Sequence, residues 1–170
     1  HLLRRQAYAR PRKPLVVFTP KAMLRLRGAT SSTTDFTSGK FQPVLDDPAV
    51  SSAASIQKVL LVAGKIYYDL KAEIEKRGTT GIAVVRLEQF YPFPAADLHA
   101  IAQKYSGAQF VWVQDEPENQ GAWPFMVMEA QASGLPALSV ISRPRSASPA
   151  TGSSKRSQIE AQLIVDRALS

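Results

Sequence analysis

The chain has 170 residues, of which 45% are hydrophobic and 21% charged, a composition typical of one soluble globular domain. It contains no Cys, which excludes disulfides and thiolate metal sites, and no apolar run approaches the roughly 18 residues that a bilayer requires. The net charge is +7, yet residues 1–28 alone hold eight Lys and Arg residues and no carboxylate. The chain therefore has one basic edge and is close to neutral elsewhere.

Three interpretations of this basic edge remain open from the residues alone. It is a solvated flank or one paired with acidic groups elsewhere, a phosphate-binding edge, or a nucleic-acid surface. The last is disfavoured because only Tyr8 stands among the cations for base stacking. The chain also begins with His1 rather than Met, so we expect it to be a piece of a longer protein.

Short apolar runs without polar alternation predict strands that are buried on both faces, as in parallel sheets covered by helices. Five such runs occur, at Pro14–Phe18, Lys58–Ala63, Gly81–Leu87, Gln109–Val113 and Ala137–Ile141. Helical spacing of apolar residues separates most of them, at Lys65–Arg77, Ala95–Tyr105, Trp123–Ala132 and Gln158–Ala168. The pattern predicts an α/β fold, a three-layer αβα sandwich with a mostly parallel five-stranded sheet.

Two polar stretches interrupt this alternation. Residues 30–55 are rich in Ser, Thr, Gly, Asp and Pro, and we expect an ordered excursion that Phe36 and Phe41 pin to the domain. Arg143–Ser157 is a second polar connector, which leads to the last helix.

The sequence is poor in catalytic groups. Its two His residues are His1 and His99, and we predict His99 on a solvated helix surface. Nucleophile-elbow, zinc-protease, dinucleotide-binding and P-loop motifs are absent. Gly64-Lys65 after a strand resembles a phosphate-binding helix start, although an ordinary strand-to-helix turn explains it as well. We therefore predict no catalytic and no metal-ligating residue in this chain.

The most distinctive segment is Gln114–Trp123, which follows a predicted strand and contains Asp115, Glu116 and Glu118. Open α/β sheets bind ligands at this edge, and three close carboxylates suit either a metal or acid–base chemistry. The structural alternative is that they cap helices and pair with basic neighbours, while Asn119 acts as a cap. Arg86-Leu87-Glu88-Gln89 ends another predicted strand at the same edge.

Six segments in order resemble the 2-oxoglutarate dehydrogenase decarboxylating component and its actinobacterial decarboxylase relatives. They are His1–Gln6, Lys13–Lys21, Gly64–Leu70, Arg86–Pro94, Gln114–Trp123 and Ser146–Gly152. The resemblance implies a transketolase-like C-terminal domain at 14–170, preceded at 1–13 by the end of a pyrimidine-binding domain and a linker.

In such enzymes, thiamine diphosphate and Mg²⁺ bind between the two preceding domains of a homodimer. The resemblance thus implies a cytoplasmic bacterial enzyme of the tricarboxylic acid cycle, which decarboxylates 2-oxoglutarate and passes a succinyl group to a lipoyl-bearing succinyltransferase. This chain would support the dimer and be inactive by itself. Another thiamine-dependent 2-oxoacid dehydrogenase or transketolase is the near alternative, and a stand-alone anion-binding module is the distant one.

The resemblance also implies an effector site for acetyl-CoA or AMP at Arg5, Lys13, Lys40 and Gln89. Several positions depart from the acetyl-CoA-responsive pattern. Lys13 occupies the position of an Arg and lacks the two-pronged guanidinium that binds a phosphate through two hydrogen bonds. Pro43 replaces a Ser, and Ala96 and Asp97 replace a pair of Arg residues. A carboxylate at Asp97 would repel a phosphate. Ser157 occupies a position that is usually His.

Overall fold

The structure, a computed structural model, describes all residues from His1 to Ser170. They form two compact units, His1–Gln42 and Pro43–Ser170. None of the helices is long and apolar enough to cross a bilayer.

The N-terminal unit consists of short elements joined by irregular chain. It contains helix α1 (Leu2–Tyr8), two 3-10 helices at Lys21–Arg25 and Arg27–Ala29, and helix α2 (Thr33–Thr37). A reciprocal capping box between Ser32 and Asp35 starts α2. The rings of His1 and Phe41 stack with their centroids 4.0 Å apart, and the Gln6 side-chain amide donates to the carbonyl of Lys13.

Two predictions for this unit are wrong. Pro14–Phe18 belongs to no strand, because no other segment pairs with it, and Phe18 is 95% exposed. Phe36 anchors nothing, since 71% of its surface is exposed. Phe41, by contrast, is half-buried against His1.

The second unit is built on one sheet. Its strands are β1 (Val44–Leu45), β2 (Lys58–Val62), β3 (Ile82–Leu87), β4 (Gln109–Pro117) and β5 (Leu138–Arg143). The spatial order is β1-β3-β2-β4-β5, with β1 antiparallel to β3 and the other neighbours parallel. The mostly parallel five-stranded sheet is therefore confirmed, but its fifth strand is Val44–Leu45 and not Pro14–Phe18.

Four helices cover the sheet: α3 (Ile66–Arg77), α4 (Ala95–Lys104), α5 (Trp123–Ala132) and α6 (Ser154–Leu169). Buried residues of α3 and α6 pack with one face of β2, β3 and β4, and those of α4 and α5 with the other. This arrangement confirms the three-layer sandwich. The last helix begins earlier than predicted because the Ser153 hydroxyl accepts the N–H of Arg156 and caps it.

The connections place a crevice at the carboxyl edge of the sheet. Strands β2 and β4 are neighbours, yet the helices that follow them, α3 and α5, cover opposite faces. Ligands of open α/β sheets bind where the strand order reverses in this way. The candidate site therefore lies where β2 and β4 end.

Candidate functional site

A cavity of about 440 Å³ lies at this edge, on the face of the sheet covered by α4 and α5. Its walls are predominantly aromatic and small residues, with two polar ones: Ala63, Phe90, Tyr91, Trp112, Val113, Gln114, Glu116, Gly121, Ala122 and Phe125. Tyr91 is 80% exposed, whereas Trp112 is buried. The cavity thus has an aromatic floor and an open rim.

Gln114 organises the loop beside the cavity. Its amide oxygen accepts hydrogen bonds from the Trp112 indole N–H (2.8 Å) and the Trp123 backbone N–H (2.9 Å). Its amide nitrogen donates to the carbonyls of Pro117 (3.0 Å) and Gln120 (2.8 Å). Because Gln114 is buried and all these groups are satisfied, it fixes the path of the loop and has no free group for a ligand.

Gly121 allows the loop to approach Gln114 closely. It has φ +64°, and a Cβ atom there would lie 3.0 Å from Cβ of Glu116 and 3.1 Å from the Gln114 amide atoms. This position therefore favours glycine for two reasons: the backbone is left-handed, and the neighbouring side chains leave no room for a Cβ atom.

The three carboxylates of Gln114–Trp123, for which a metal site, acid–base chemistry and structural roles were all open, have separate surroundings. Glu118 pairs with Arg145 at 3.1 Å, and Glu116 lines the cavity. Asp115 is half-buried; burial raises the pKa of its carboxyl above the ordinary value, an effect that the nearby charge of Lys65 opposes. No group of three His, Cys, Asp or Glu residues could hold a metal ion. Of the structural roles predicted for these carboxylates, the structure shows one, the ion pair of Glu118 with a basic neighbour.

The loop after β5 is bound to this segment. Asn119 donates to the carbonyl of Ser146 (3.1 Å) and accepts its N–H (3.0 Å), while the Gln120 side chain donates to the same carbonyl (2.8 Å). Asn119 therefore joins two loops, and the interpretation of Asn119 as a helix cap is wrong. Two of the six resembling segments are held together by these bonds.

The other singled-out residues are engaged within the unit. The Arg86 guanidinium lies 4.7 Å from the Tyr67 ring centroid and donates to the Tyr68 hydroxyl at 3.1 Å. Its Nε is 2.6 Å from Glu88, although it makes no aligned hydrogen bond. Lys65 pairs with Asp69 one turn along α3, which favours an ordinary strand-to-helix turn.

His99 is half-buried rather than fully solvated. Its Nε2 lies 2.9 Å from the carbonyl of Ser133, just beyond α5. The contact links α4 to the end of α5.

The sequence model of the family described as 2-oxoglutarate dehydrogenase C-terminal matches residues 30–169. The chain belongs to this family. The match includes the whole sheet, the crevice and the aromatic cavity.

Curated relatives of this chain agree with the family match. It is 44% identical over 172 residues to the 2-oxoglutarate dehydrogenase E1/E2 component of Corynebacterium glutamicum, with 99% of this chain and 14% of that protein covered. It is 42% identical to the multifunctional 2-oxoglutarate metabolism enzyme of Mycolicibacterium vanbaalenii, with coverage of 99% and 14%. Identity to the E1 component of Cupriavidus necator is 45%, with coverage of 89% and 16%. The chain thus spans about a seventh of the length of these relatives.

The four predicted effector residues are divided between the two units. Arg5 in α1, Lys13 and Lys40 belong to the N-terminal unit, and all three are exposed. Gln89 belongs to the second unit, where its amide donates to the carbonyl of Pro92 at 3.4 Å. A site formed by all four stays a prediction.

Proposed function

We propose that the intact protein is a thiamine-diphosphate-dependent 2-oxoglutarate dehydrogenase E1 component or 2-oxoglutarate decarboxylase, of which this chain is the C-terminal domain. The observation that carries the proposal is 42–44% identity across 99% of the chain to two relatives named for 2-oxoglutarate enzymes. The loop residues Asn119, Gln120 and Ser146, which belong to the resembling segments, also contact one another.

The residues of this chain do not fit a thiamine diphosphate–Mg²⁺ site. A diphosphate-bound divalent cation requires hard oxygen ligands that converge, and the Gly-Asp-Gly motif that holds the group in this family does not occur here. The carboxylates near the cavity have different surroundings, since Glu118 pairs with Arg145 whereas Asp115 is half-buried. We therefore assign the cofactor to parts of the protein outside these 170 residues and give this domain a supporting role in a homodimer.

The test is CO₂ release from 2-oxoglutarate by the full-length protein, with and without thiamine diphosphate and Mg²⁺. We expect release that depends on the cofactor and falls strongly when pyruvate replaces 2-oxoglutarate. Release from pyruvate in preference would instead favour another thiamine-dependent 2-oxoacid dehydrogenase. If every 2-oxoacid is inert with the cofactor present, the proposal is overturned.

A lipoyl-bearing succinyltransferase is the partner that such an enzyme requires, and the name of the Corynebacterium relative joins E1 and E2 functions. Transfer of a succinyl group from 2-oxoglutarate to a lipoyl domain separates a complex member from a free decarboxylase. We expect a bacterial cytoplasmic enzyme, since its substrate and partners belong to central metabolism.

An acetyl-CoA or AMP effector is a separate part of the proposal, carried by the exposed cations Arg5, Lys13 and Lys40. Cationic side chains bind phosphates by charge and hydrogen bonds. We expect Lys13→Arg to strengthen activation by acetyl-CoA because it restores a bidentate fork. Lys40→Ala should weaken it, while Lys155→Ala on α6 serves as the matched control. Equal effector titrations for all three variants would remove these residues from the site.

A further inference from the structure

The aromatic cavity at the carboxyl edge of the sheet is built by residues of the second unit alone. Its volume of about 440 Å³ lies in the range of small-molecule sites, about 300–1,000 Å³. Trp112 of β4 is only 1% exposed and forms the floor. The Phe90 ring contacts the rings of Trp112 and Phe125 edge-on, with centroids 5.9 Å and 6.4 Å apart. The shape of the cavity is therefore fixed by packing within this unit.

Glu116 is the one charged side chain among the residues that line this cavity. Its carboxylate forms no ion pair within the chain, whereas Glu118, two residues further on, pairs with Arg145. The amide of Gln114 is fully engaged by Trp112 and the loop backbone, so it offers nothing to a ligand. A polar ligand in the cavity thus meets one ionic partner, and that partner is negative.

The aromatic walls and the carboxylate select the same charge of ligand. The faces of aromatic rings carry partial negative charge and attract cations, and a free carboxylate does so as well. Lys, Arg and His are all missing from the lining, so an anion would be repelled without any compensating contact. The cavity therefore suits neither a 2-oxoacid nor a phosphate-bearing effector, both of which are anions.

We propose that this cavity binds a small organic ammonium ion with an apolar body, of the alkylammonium or arylalkylammonium class. The apolar body lies against Trp112 and Phe125, and the ammonium group lies beside Glu116 and Tyr91, both of which are exposed. The site differs in chemistry from the predicted effector residues Arg5, Lys13 and Lys40, because those are cations. The proposal is independent of the proposed function, since it concerns binding to this domain alone.

The test is a ligand-observed NMR titration of the full-length protein with three probes: phenethylammonium, 2-phenylethanol and 3-phenylpropionate. The probes share a phenylethyl body and differ in the charge of the head group, which is positive, neutral and negative in that order. We expect phenethylammonium to bind about three- to ten-fold more tightly than 2-phenylethanol, since it adds a partly exposed ion pair and a cation–π contact. The anion 3-phenylpropionate should bind most weakly of the three.

Glu116→Gln removes the charge of the cavity wall and keeps the size of the side chain. It should lower the affinity for phenethylammonium to that for 2-phenylethanol and leave the affinity for 2-phenylethanol unchanged. Glu118→Gln in the same loop is the matched control and should leave all three affinities unchanged, because Glu118 is outside the lining. Tyr91→Leu should weaken binding of the cation by about two- to five-fold.

Equal affinities for phenethylammonium and 2-phenylethanol would overturn the proposal, because the cavity would then not select for charge. The same conclusion follows if phenethylammonium does not bind at all, as when another segment of the full-length protein fills the cavity. Equal losses of affinity in Glu116→Gln and Glu118→Gln would also overturn it, since the carboxylate in the lining would have no special part. The readout is binding and not CO₂ release, so each of these results leaves the proposed function untouched.

Discussion

The carboxylate of Asp47 accepts the backbone N–H of Val84 at 2.9 Å. Val84 lies in β3, whose neighbour β1 has only two residues and pairs with Arg86 and Leu87. The side chain of Asp47 thus replaces the missing part of the edge strand for a buried donor. Its carboxylate also receives Lys71 of α3 at 2.9 Å, so one buried residue joins the sheet edge to a helix.

Asp47→Ala should lower the free energy of unfolding by about 2–4 kcal/mol, because it leaves the buried Val84 N–H without a partner and removes the ion pair with Lys71. Lys71 is partly exposed, so water replaces part of the interaction that its ammonium group loses with Asp47. Asp47→Asn keeps an acceptor and should cost less than Asp47→Ala. Urea unfolding of the 170-residue chain, followed by far-UV circular dichroism, measures the difference; equal losses for both variants would contradict this account.

Gly121→Ala and Gly78→Ala form a matched pair. Both glycines have nearly the same dihedral, φ +64° and +63°, but a Cβ at Gly78 would meet nothing within 4 Å. Gly78→Ala should therefore show the left-handed backbone cost alone, about 1–2 kcal/mol. Gly121→Ala should lose about 1–3 kcal/mol more, because Gln114 and Glu116 must move. If urea unfolding gives the same loss for both, the close approach at Gly121 has no energetic weight.

Gln114→Ala should destabilise the second unit by about 2–4 kcal/mol, since it removes the hydrogen-bond partner of the Trp112 indole N–H, the Trp123 N–H and the Gln120 carbonyl near the core. Gln120→Ala, which removes one exposed bond to Ser146, should cost about 1 kcal/mol or less. Hydrogen exchange of the 116–122 amides separates the two variants as well. We expect faster exchange throughout the loop for Gln114→Ala; unchanged exchange would mean that the loop holds its shape without Gln114.

The sequence predicted those strands of the sheet whose continuous apolar runs are buried on both faces. The apolar runs that form β2, β3, β4 and β5 are covered on both faces, so their lack of alternation was informative. Pro14–Phe18 has the same pattern without a pairing strand. Val44–Leu45 was missed because two residues carry no periodicity, and its place depends on the antiparallel register with β3.

The site was harder to foresee than the sheet. The segment Gln114–Trp123 was singled out for its carboxylates, whereas its central residue is the neutral Gln114. That role depends on the face of β4 on which Gln114 and Trp112 both lie and on a loop that returns the Trp123 N–H to it. These contacts are long-range consequences of the fold, and no local spacing encodes them.

Asp115 gives the last prediction, a dependence of stability on pH. Burial raises the pKa of its carboxyl, Lys65 and Arg143 oppose this change, and Asp69 and Glu116 add to it. Between the unfolded value of 3.8 and the raised folded one, the native state binds more protons, so Asp115 destabilises the fold increasingly as pH rises through this window. Asp115→Asn should therefore stabilise the chain at pH 7 and lose that advantage below about pH 4. Urea unfolding at both pH values checks the sign; a gain that is the same at both, or present only in acid, would contradict a raised pKa at Asp115.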